Sequence, residues 1–104
     1  PIIAFGLGGI FVEVLKDISL RIIPLSKSEA KKMVQQIKGY PILEGVRGRS
    51  RADIEAVEDL LSRLSRLTED WKDYIAEIDI NPLIVLDQGR GVKALDALVV
   101  LKKK

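Results

Sequence analysis

Apolar residues recur every three or four positions between residues 54 and 71, and this is the longest helical period in the chain. The residue directly before it, Asp53, is of a type that caps helix N-termini. The pattern predicts a long amphipathic helix whose apolar stripe must be covered by other elements of the fold. The stripe consists of Ile54, Val57, Leu60, Leu61, Leu64, Leu67 and Trp71.

Three short segments near the start of the chain are strand-like. Pro1–Phe5 is apolar, and the glycine-rich residues 6–9 separate it from a second apolar run, Ile10–Lys16. In Ile18–Pro24 apolar and polar residues alternate as in a half-buried strand, and the proline ends it. We therefore expect a strand, a glycine turn and two further strands.

A capping box follows at Ser26–Glu29, where the serine hydroxyl can accept from the N–H three residues on and the glutamate can reach back. It predicts a first helix, which Gly39 and Pro41 would end. The stretch Ile42–Arg51 alternates glycine with cationic residues and is interpreted as a loop.

After Tyr74 the hydrophobic period changes to two, which predicts a strand through Ile80. Pro82 introduces a short apolar run, Asp87–Gly91 forms a turn, and Val92–Leu101 is predicted as a last strand. The order strands, helix, helix, strands favours an α+β fold, with a mainly antiparallel sheet and two packed helices. A chain of 104 residues is long enough for one small core only.

Composition excludes several classes of function. The chain has no cysteine and no histidine, so it can form no disulfide, thiolate nucleophile, imidazole base or zinc site of the usual kind. A net charge of +2 with few aromatic residues argues against a nucleic-acid partner. No apolar run approaches the roughly 18 residues of a membrane span, and no secretory signal opens the chain, so we expect a soluble, cytoplasmic protein without a membrane partner.

The segment that follows Tyr74 carries the most informative polar residues. Glu77, Asp79 and Asn81 share one face of the predicted strand. Folding the chain back at the Asp87–Gly91 turn places Asn81 opposite Asp96, with Cβ atoms roughly 5 Å apart. A carboxylate, an amide oxygen and further carboxylates around one point would suit Mg²⁺. A solvated polar face of the hairpin is the alternative.

The same residues resemble a known family. Asp79–Leu83, followed by Ala94–Ala97, resembles the magnesium-binding hairpin of the ATP-grasp domain in the succinyl-CoA synthetase superfamily. The upstream run FGLGGIFVEVLKDISLRIIPL and the loop KGYPILEGVRGR are similar to the β subunit, or fused ATP-grasp domain, of ADP-forming acyl-CoA synthetases such as acetate–CoA ligase. The resemblance implies that residues 1–104 form a partial domain, the C-terminal half of an ATP-grasp fold.

By this resemblance, Asn81 and Asp96 would ligate a magnesium ion that bridges the phosphates of ATP or ADP. Asp79 occupies an acidic position common in the motif, and would bind a second ion or a water or remain a solvated carboxylate. The resemblance assigns no catalytic residue to this chain. It implies a site that holds Mg²⁺ and one wall of a nucleotide.

Nucleotide contacts are expected from two further places. Gly8 and Gly9 would let the backbone approach a phosphate, but three glycines alone are weak evidence, and a tight turn between two strands is the favoured alternative. Glu13 matches an acidic position after the glycines and could also be an exposed strand residue. Arg47 and Arg49 would hold phosphate or a neighbouring subunit through their guanidinium groups, with a solvated loop as the alternative.

The activity implied is acyl-CoA + ADP + phosphate ⇌ acid + CoA + ATP, run through an acyl phosphate and a phosphohistidine. The histidine and the CoA site would belong to an α subunit or fused domain, and the N-terminal half of the ATP-grasp domain would complete the nucleotide clamp. Alone, the chain is expected to be inactive and prone to self-association. A non-catalytic regulatory or interaction module on the same scaffold is the second hypothesis. A single asparagine and a single threonine beside many charged residues hint at a thermophilic source.

Overall fold

The chain begins with a pair of strands. The computed structural model describes residues 1–9, 13–46 and 48–103. Strand β1 (Ile2–Gly6) pairs antiparallel with β2 (Ile18–Ile22). One face of β2 is apolar and exposed, and its other face turns Ser19 into the interior, where the hydroxyl donates to the Met33 carbonyl (2.7 Å).

The strand predicted for Ile10–Lys16 is wrong over its described part. The Glu13 N–H donates to the Gly9 carbonyl (3.0 Å), Glu13 is helical, and Val14 and Leu15 lie in a turn. Gly9 has φ +68°, a conformation that glycine adopts at little cost. Strand β1 pairs instead with β2. Residues 10–12 lie outside the described residues.

The first predicted helix is confirmed as α1 (Lys27–Gln35). Its capping box is formed as expected, since the Ser26 hydroxyl accepts from the Glu29 N–H (3.1 Å) and hydrogen-bonds the Glu29 carboxylate (3.1 Å). A short helix, α2 (Tyr40–Glu44), follows where the start of a loop was predicted. Pro41 in its first turn suits a helix start, and Leu43 is buried in the core, which holds this turn in place.

The long helix is confirmed as α3 (Ile54–Trp71), capped by Asp53. It packs against α1, and residues from both helices form most of the core. The apolar stripe is buried in its first half only, because Leu67 and Trp71 near the C-terminal end are exposed. The core residues are Leu25, Ala30, Met33, Val34, Ile37, Leu43, Ile54, Val57 and Leu61.

The C-terminal strands form one long hairpin with an interruption. Strands β3 (Ile75–Ile80) and β6 (Ala97–Leu101) pair in its outer part, and β4 (Leu83–Val85) and β5 (Val92–Ala94) pair near its turn. All three strand pairs described are antiparallel, so the predicted α+β class is confirmed, although they are separate two-stranded ladders. Within the described ranges, no helix combines the length and apolar character needed to cross a bilayer.

Candidate functional site

The interruption of the hairpin brings the two principal predicted ligands together. The ladders end at Ile80 paired with Ala97 and resume at Leu83 paired with Ala94. Between them, the Asn81 N–H donates to the Asp96 carbonyl (3.1 Å). Asn81 and Asp96 therefore lie opposite each other, in the register that the sequence predicts.

The side chains at this point face water and offer hard oxygen donors. Asn81, Asp96 and Asp79 are all exposed, and Asp79 lies two residues before Asn81 on β3. One carboxylate oxygen of Asp96 accepts from the N–H of Ala97 (2.9 Å), which orients the group. An amide oxygen and two carboxylates match the donor preference of Mg²⁺, so these residues fit that ion by their chemistry. In the part of the chain that the structure describes, no three histidine, cysteine or acidic side chains gather into a metal cluster.

The glycine segment, residues 6–9, lies at the end of β1 and is held by elements other than the hairpin. Gly8 and Gly9 are exposed, and a Cβ built on either meets no heavy atom within 4 Å, so a ligand can reach this backbone. Glu13 is exposed in the helical turn that follows. Leu7 packs against the core and lies close to Gly39, where a Cβ would come within 2.6 Å of its Cδ1. The segment is thus fastened at the junction of α1 and α2.

Arg49, one of the two predicted arginines, lies in the connection between α2 and α3. Arg49 is exposed, and its N–H donates to the Val46 carbonyl (3.1 Å). Its carbonyl lies 2.6 Å from the position of a Cβ on Gly45, which has φ +96°, so this turn requires glycine there. Arg47 lies outside the described residues.

Two buried aspartates each join segments that are distant in sequence, and sequence reasoning gave neither this role. The Asp17 carboxylate accepts the N–H groups of Lys38 (2.6 Å) and Gly39 (2.7 Å), which ties the start of β2 to the connection between α1 and α2. The Asp53 carboxylate accepts the N–H of Ala56 (3.2 Å) within its helix and that of Gly91 (2.7 Å) in the hairpin turn. The cap was predictable from local sequence, but a bond spanning 38 residues was not.

Glu58 is an acidic residue whose pKa is shifted by its surroundings. It is buried on α3, and desolvation raises the pKa of its carboxyl above the ordinary value. Lys31 on α1 opposes this rise, and Glu55 one turn away adds to it. This residue was assigned no role from sequence.

The comparison with known proteins extends over almost the whole chain. A family model described as an ATP-grasp domain matches residues 1–101. The β subunit of ADP-forming acetate–CoA ligase II from Pyrococcus furiosus is 54% identical over 100 residues, which cover 96% of this chain and 42% of that protein. A crystal structure of a Pyrococcus horikoshii protein superposes with a TM-score of 0.93 at 48% identity, covering 99% of this chain and 43% of that one.

A third similar protein was solved with ligands. It is a dinucleotide-forming acetyl-coenzyme A synthetase from Ca. Korarchaeum cryptofilum in complex with coenzyme A and Mg-AMPPCP, with a TM-score of 0.89 at 42% identity. The match covers 98% of this chain and 46% of that one. The chain therefore spans less than half the length of these relatives. With a family match over nearly all residues and a fold shared at high identity, the chain belongs to the ATP-grasp domain family.

Proposed function

We propose that this chain is the C-terminal, magnesium-binding half of the ATP-grasp domain of an ADP-forming acyl-CoA synthetase, and that it takes part in phosphoryl transfer. The observation that carries the proposal is the pairing of Asn81 with Asp96 across the interrupted hairpin. The 54% identity to a ligase β subunit supports the reaction class.

In this proposal Asn81 and Asp96 would hold Mg²⁺ through their side-chain oxygens, and Asp79 would add a carboxylate to the same face. The bound ion would neutralise charge on the transferred phosphoryl group and orient that group for in-line transfer. The chain's own part is to keep the two oxygens at a constant separation. Two neighbouring backbone hydrogen bonds, Asn81 to Asp96 and Leu95 to Pro82 (3.0 Å), support that role.

The glycine segment supplies the second part of the proposed nucleotide site. The backbone of Gly8 and Gly9 would approach phosphate oxygens, because both residues are exposed and a Cβ built on either meets no heavy atom within 4 Å. Glu13 would lie beside that contact, and Arg47 and Arg49 would contribute guanidinium groups from the α2–α3 turn.

The remaining chemistry is assigned to other parts of the enzyme. The chain contains no histidine, so the phosphohistidine of the proposed reaction must be supplied by a CoA-binding α subunit or a fused domain. A phosphohistidine segment pointing towards the nucleotide-binding site is described for the Korarchaeum protein. The N-terminal half of the ATP-grasp domain would close the nucleotide clamp.

The test uses the complete enzyme that contains this chain. Asn81→Ala and Asp96→Ala should each reduce ATP formation from acyl-CoA, ADP and phosphate by at least a hundredfold, with thermal unfolding close to wild type because both side chains are exposed. Asp70→Ala removes an exposed carboxylate on α3 and serves as the matched control, with near-normal turnover expected. Near-normal turnover in both hairpin variants would contradict the site assignment.

The variant Asp79→Asn tests whether Asp79 belongs to the proposed magnesium site. A raised magnesium requirement in this variant assigns Asp79 to the ion, and an unchanged requirement makes it a solvated carboxylate. Titration of the complete enzyme with ADP, with and without Mg²⁺, tests the proposal against a non-catalytic module. Absence of magnesium-dependent binding at millimolar ADP would favour the module.

A further inference from the structure

We infer that Asp53 is a positioning residue for the Asn81–Asp96 pair, acting through the hairpin turn and in addition to its role as a helix cap. The inference rests on the proposed function, because its consequence is measured as a magnesium requirement. Among the hydrogen bonds of the described residues, Asp53 makes none to either member of the pair, and its connection to the site runs through the β4–β5 turn.

The Asp53 carboxylate bridges the start of α3 and the hairpin turn. Asp53 is only 8% exposed, and its two oxygens accept from different segments. One oxygen accepts from the Ala56 N–H (3.2 Å) in the first turn of α3, and the other accepts from the Gly91 N–H (2.7 Å) directly before β5. The shorter bond goes to the hairpin. An ionised acceptor makes hydrogen bonds about twice as strong as a neutral one, so this contact is a substantial tie.

The other bonds between this turn and the α3 start use backbone atoms. The Gln88 N–H donates to the Arg51 carbonyl (2.9 Å), and the Asp53 N–H donates to the Leu86 carbonyl (2.8 Å). Ala52 and Asp87 form an isolated bridge. Among the hydrogen bonds found within the described ranges, Asp53 contributes the one side chain that reaches the turn. It is therefore the contact that substitution can remove without altering the backbone.

The position of the turn controls the position of the pair. Strand β3 begins just after the C-terminal end of α3, and the β4–β5 turn is hydrogen-bonded to the residues just before the N-terminal end of α3. Asn81 precedes Leu86 by five residues and Asp96 follows Gly91 by five, so about 16 Å of extended chain separates the pair from the turn. Every residue of β6 is exposed, so the outer ladder receives little support from side-chain packing. Loosening the turn would change where the pair sits relative to the core.

Asp53→Ser separates the two roles of the side chain. Serine is as good a helix cap as aspartate, but its single oxygen cannot cap α3 and reach Gly91 together. Ser26→Ala is the matched control, because it removes a helix cap from α1 that has no bond to the hairpin. The first variant loses the tie and keeps a cap, and the second loses a cap and keeps the tie.

Both variants are compared in the complete enzyme. For Asp53→Ser we expect a rise of roughly tenfold in the half-saturating Mg²⁺ concentration, because the variant loses one charge-assisted hydrogen bond. Turnover at saturating Mg²⁺ should return to near wild type, because the ligands themselves are unchanged. Hydrogen exchange of the Gly91 amide should be faster in Asp53→Ser and unchanged in Ser26→Ala. The control should lower thermal stability without changing the magnesium requirement.

The outcomes separate this inference from the proposed function. An unchanged magnesium requirement in Asp53→Ser, with activity abolished in Asn81→Ala and Asp96→Ala, overturns the positioning role alone. Equal shifts of the requirement in Asp53→Ser and Ser26→Ala overturn it too, because general destabilisation would explain both. Wild-type turnover in the two hairpin variants overturns the proposed function, and the exchange rate of Gly91 still reports whether the tie holds the turn.

Discussion

The helical layer (α1 and α3) and the outer hairpin (β3 and β6) both contain many apolar residues but differ in what stabilises them. In α1, Ala30, Met33 and Val34 are fully buried against α3. In β6, which is as apolar, every residue is exposed, and Leu98 retains 55% of its accessible surface. The helices are therefore stabilised by buried apolar area, whereas the outer hairpin depends on its backbone ladder and on the ties at its ends.

This difference separates folding from the proposed chemistry. The residues proposed to hold magnesium lie on the exposed hairpin, and the described core residues come from the helices and the segments beside them. Substitutions in the two regions should consequently affect different measurements. Core variants should change the free energy of unfolding, and hairpin variants should change ligand requirements.

The largest effect on stability is expected for Met33→Ala. Met33 on α1 is fully buried, and truncation of its side chain removes contacts and leaves a cavity. The free energy of unfolding should fall by about 2–5 kcal/mol in chemical denaturation. A loss below about 1 kcal/mol would mean that the helical layer is not the stabilising half of the molecule.

A smaller effect is expected for Ser65→Ala. The buried Ser65 hydroxyl accepts from the Leu25 N–H (2.7 Å), and its loss leaves that N–H without this partner. We expect a loss of about 1–3 kcal/mol in the same denaturation experiment. Ser62→Ala, three residues away on α3 and less buried, is the control and should change stability by about 0.5 kcal/mol or less. Equal effects of the two variants would contradict the importance of this bond.

The dependence of stability on pH should come partly from Glu58. Desolvation raises its pKa above 4.5, Lys31, Lys27 and Arg51 oppose the rise, and Glu55 adds to it. A carboxyl with a higher pKa in the folded chain binds its proton more tightly there, so its contribution to stability decreases as the pH rises through the folded pKa.

Glu58→Gln should therefore stabilise the chain near neutral pH and lose that advantage at pH values below 4.5. Thermal unfolding across this range measures the difference. Glu55→Gln removes one cause of the raised pKa and should produce a smaller change of the same sign. Greater stability of the wild type at neutral pH would show that attraction by the three cations outweighs desolvation.

The smallest effect is expected for Leu98→Ala on the exposed hairpin. Because about half of this side chain already contacts solvent, its truncation in the 104-residue chain should cost about 0.5 kcal/mol or less. A loss as large as that of Met33→Ala would remove the distinction between the two regions. Size-exclusion chromatography of the same variant tests the predicted self-association, which should weaken as exposed apolar area is removed.

Local sequence signals predicted the elements that depend on nearby residues. The capping box at Ser26 and the Asp53 cap marked where α1 and α3 begin, and both side chains make the expected bonds. The hairpin register followed from its turn, and it brings Asn81 opposite Asp96. These features need no information from distant parts of the chain, because caps and turns are satisfied within a few residues.

The two errors have tertiary causes. The apolar run at 10–16 is predicted as a strand, but β1 pairs with β2, and the described residues 13–15 precede Asp17, which is hydrogen-bonded to the connection between α1 and α2. The start of the predicted loop at Ile42 is helical, because Leu43 is buried in the core. In both places a distant partner decided between conformations that the local sequence permits.

The sequence by itself determined the helix limits near the caps, the α+β class and the opposition of Asn81 and Asp96 across the hairpin. Only the tertiary structure decided which apolar residues are buried, and only it joined Gly91 to Asp53 and Gly39 to Asp17. The physical reason is the distance along the chain over which each kind of interaction acts. Periodicity and caps act over one or two turns of chain, whereas burial and buried carboxylate bonds depend on segments 20 or more residues apart that meet only in the folded molecule.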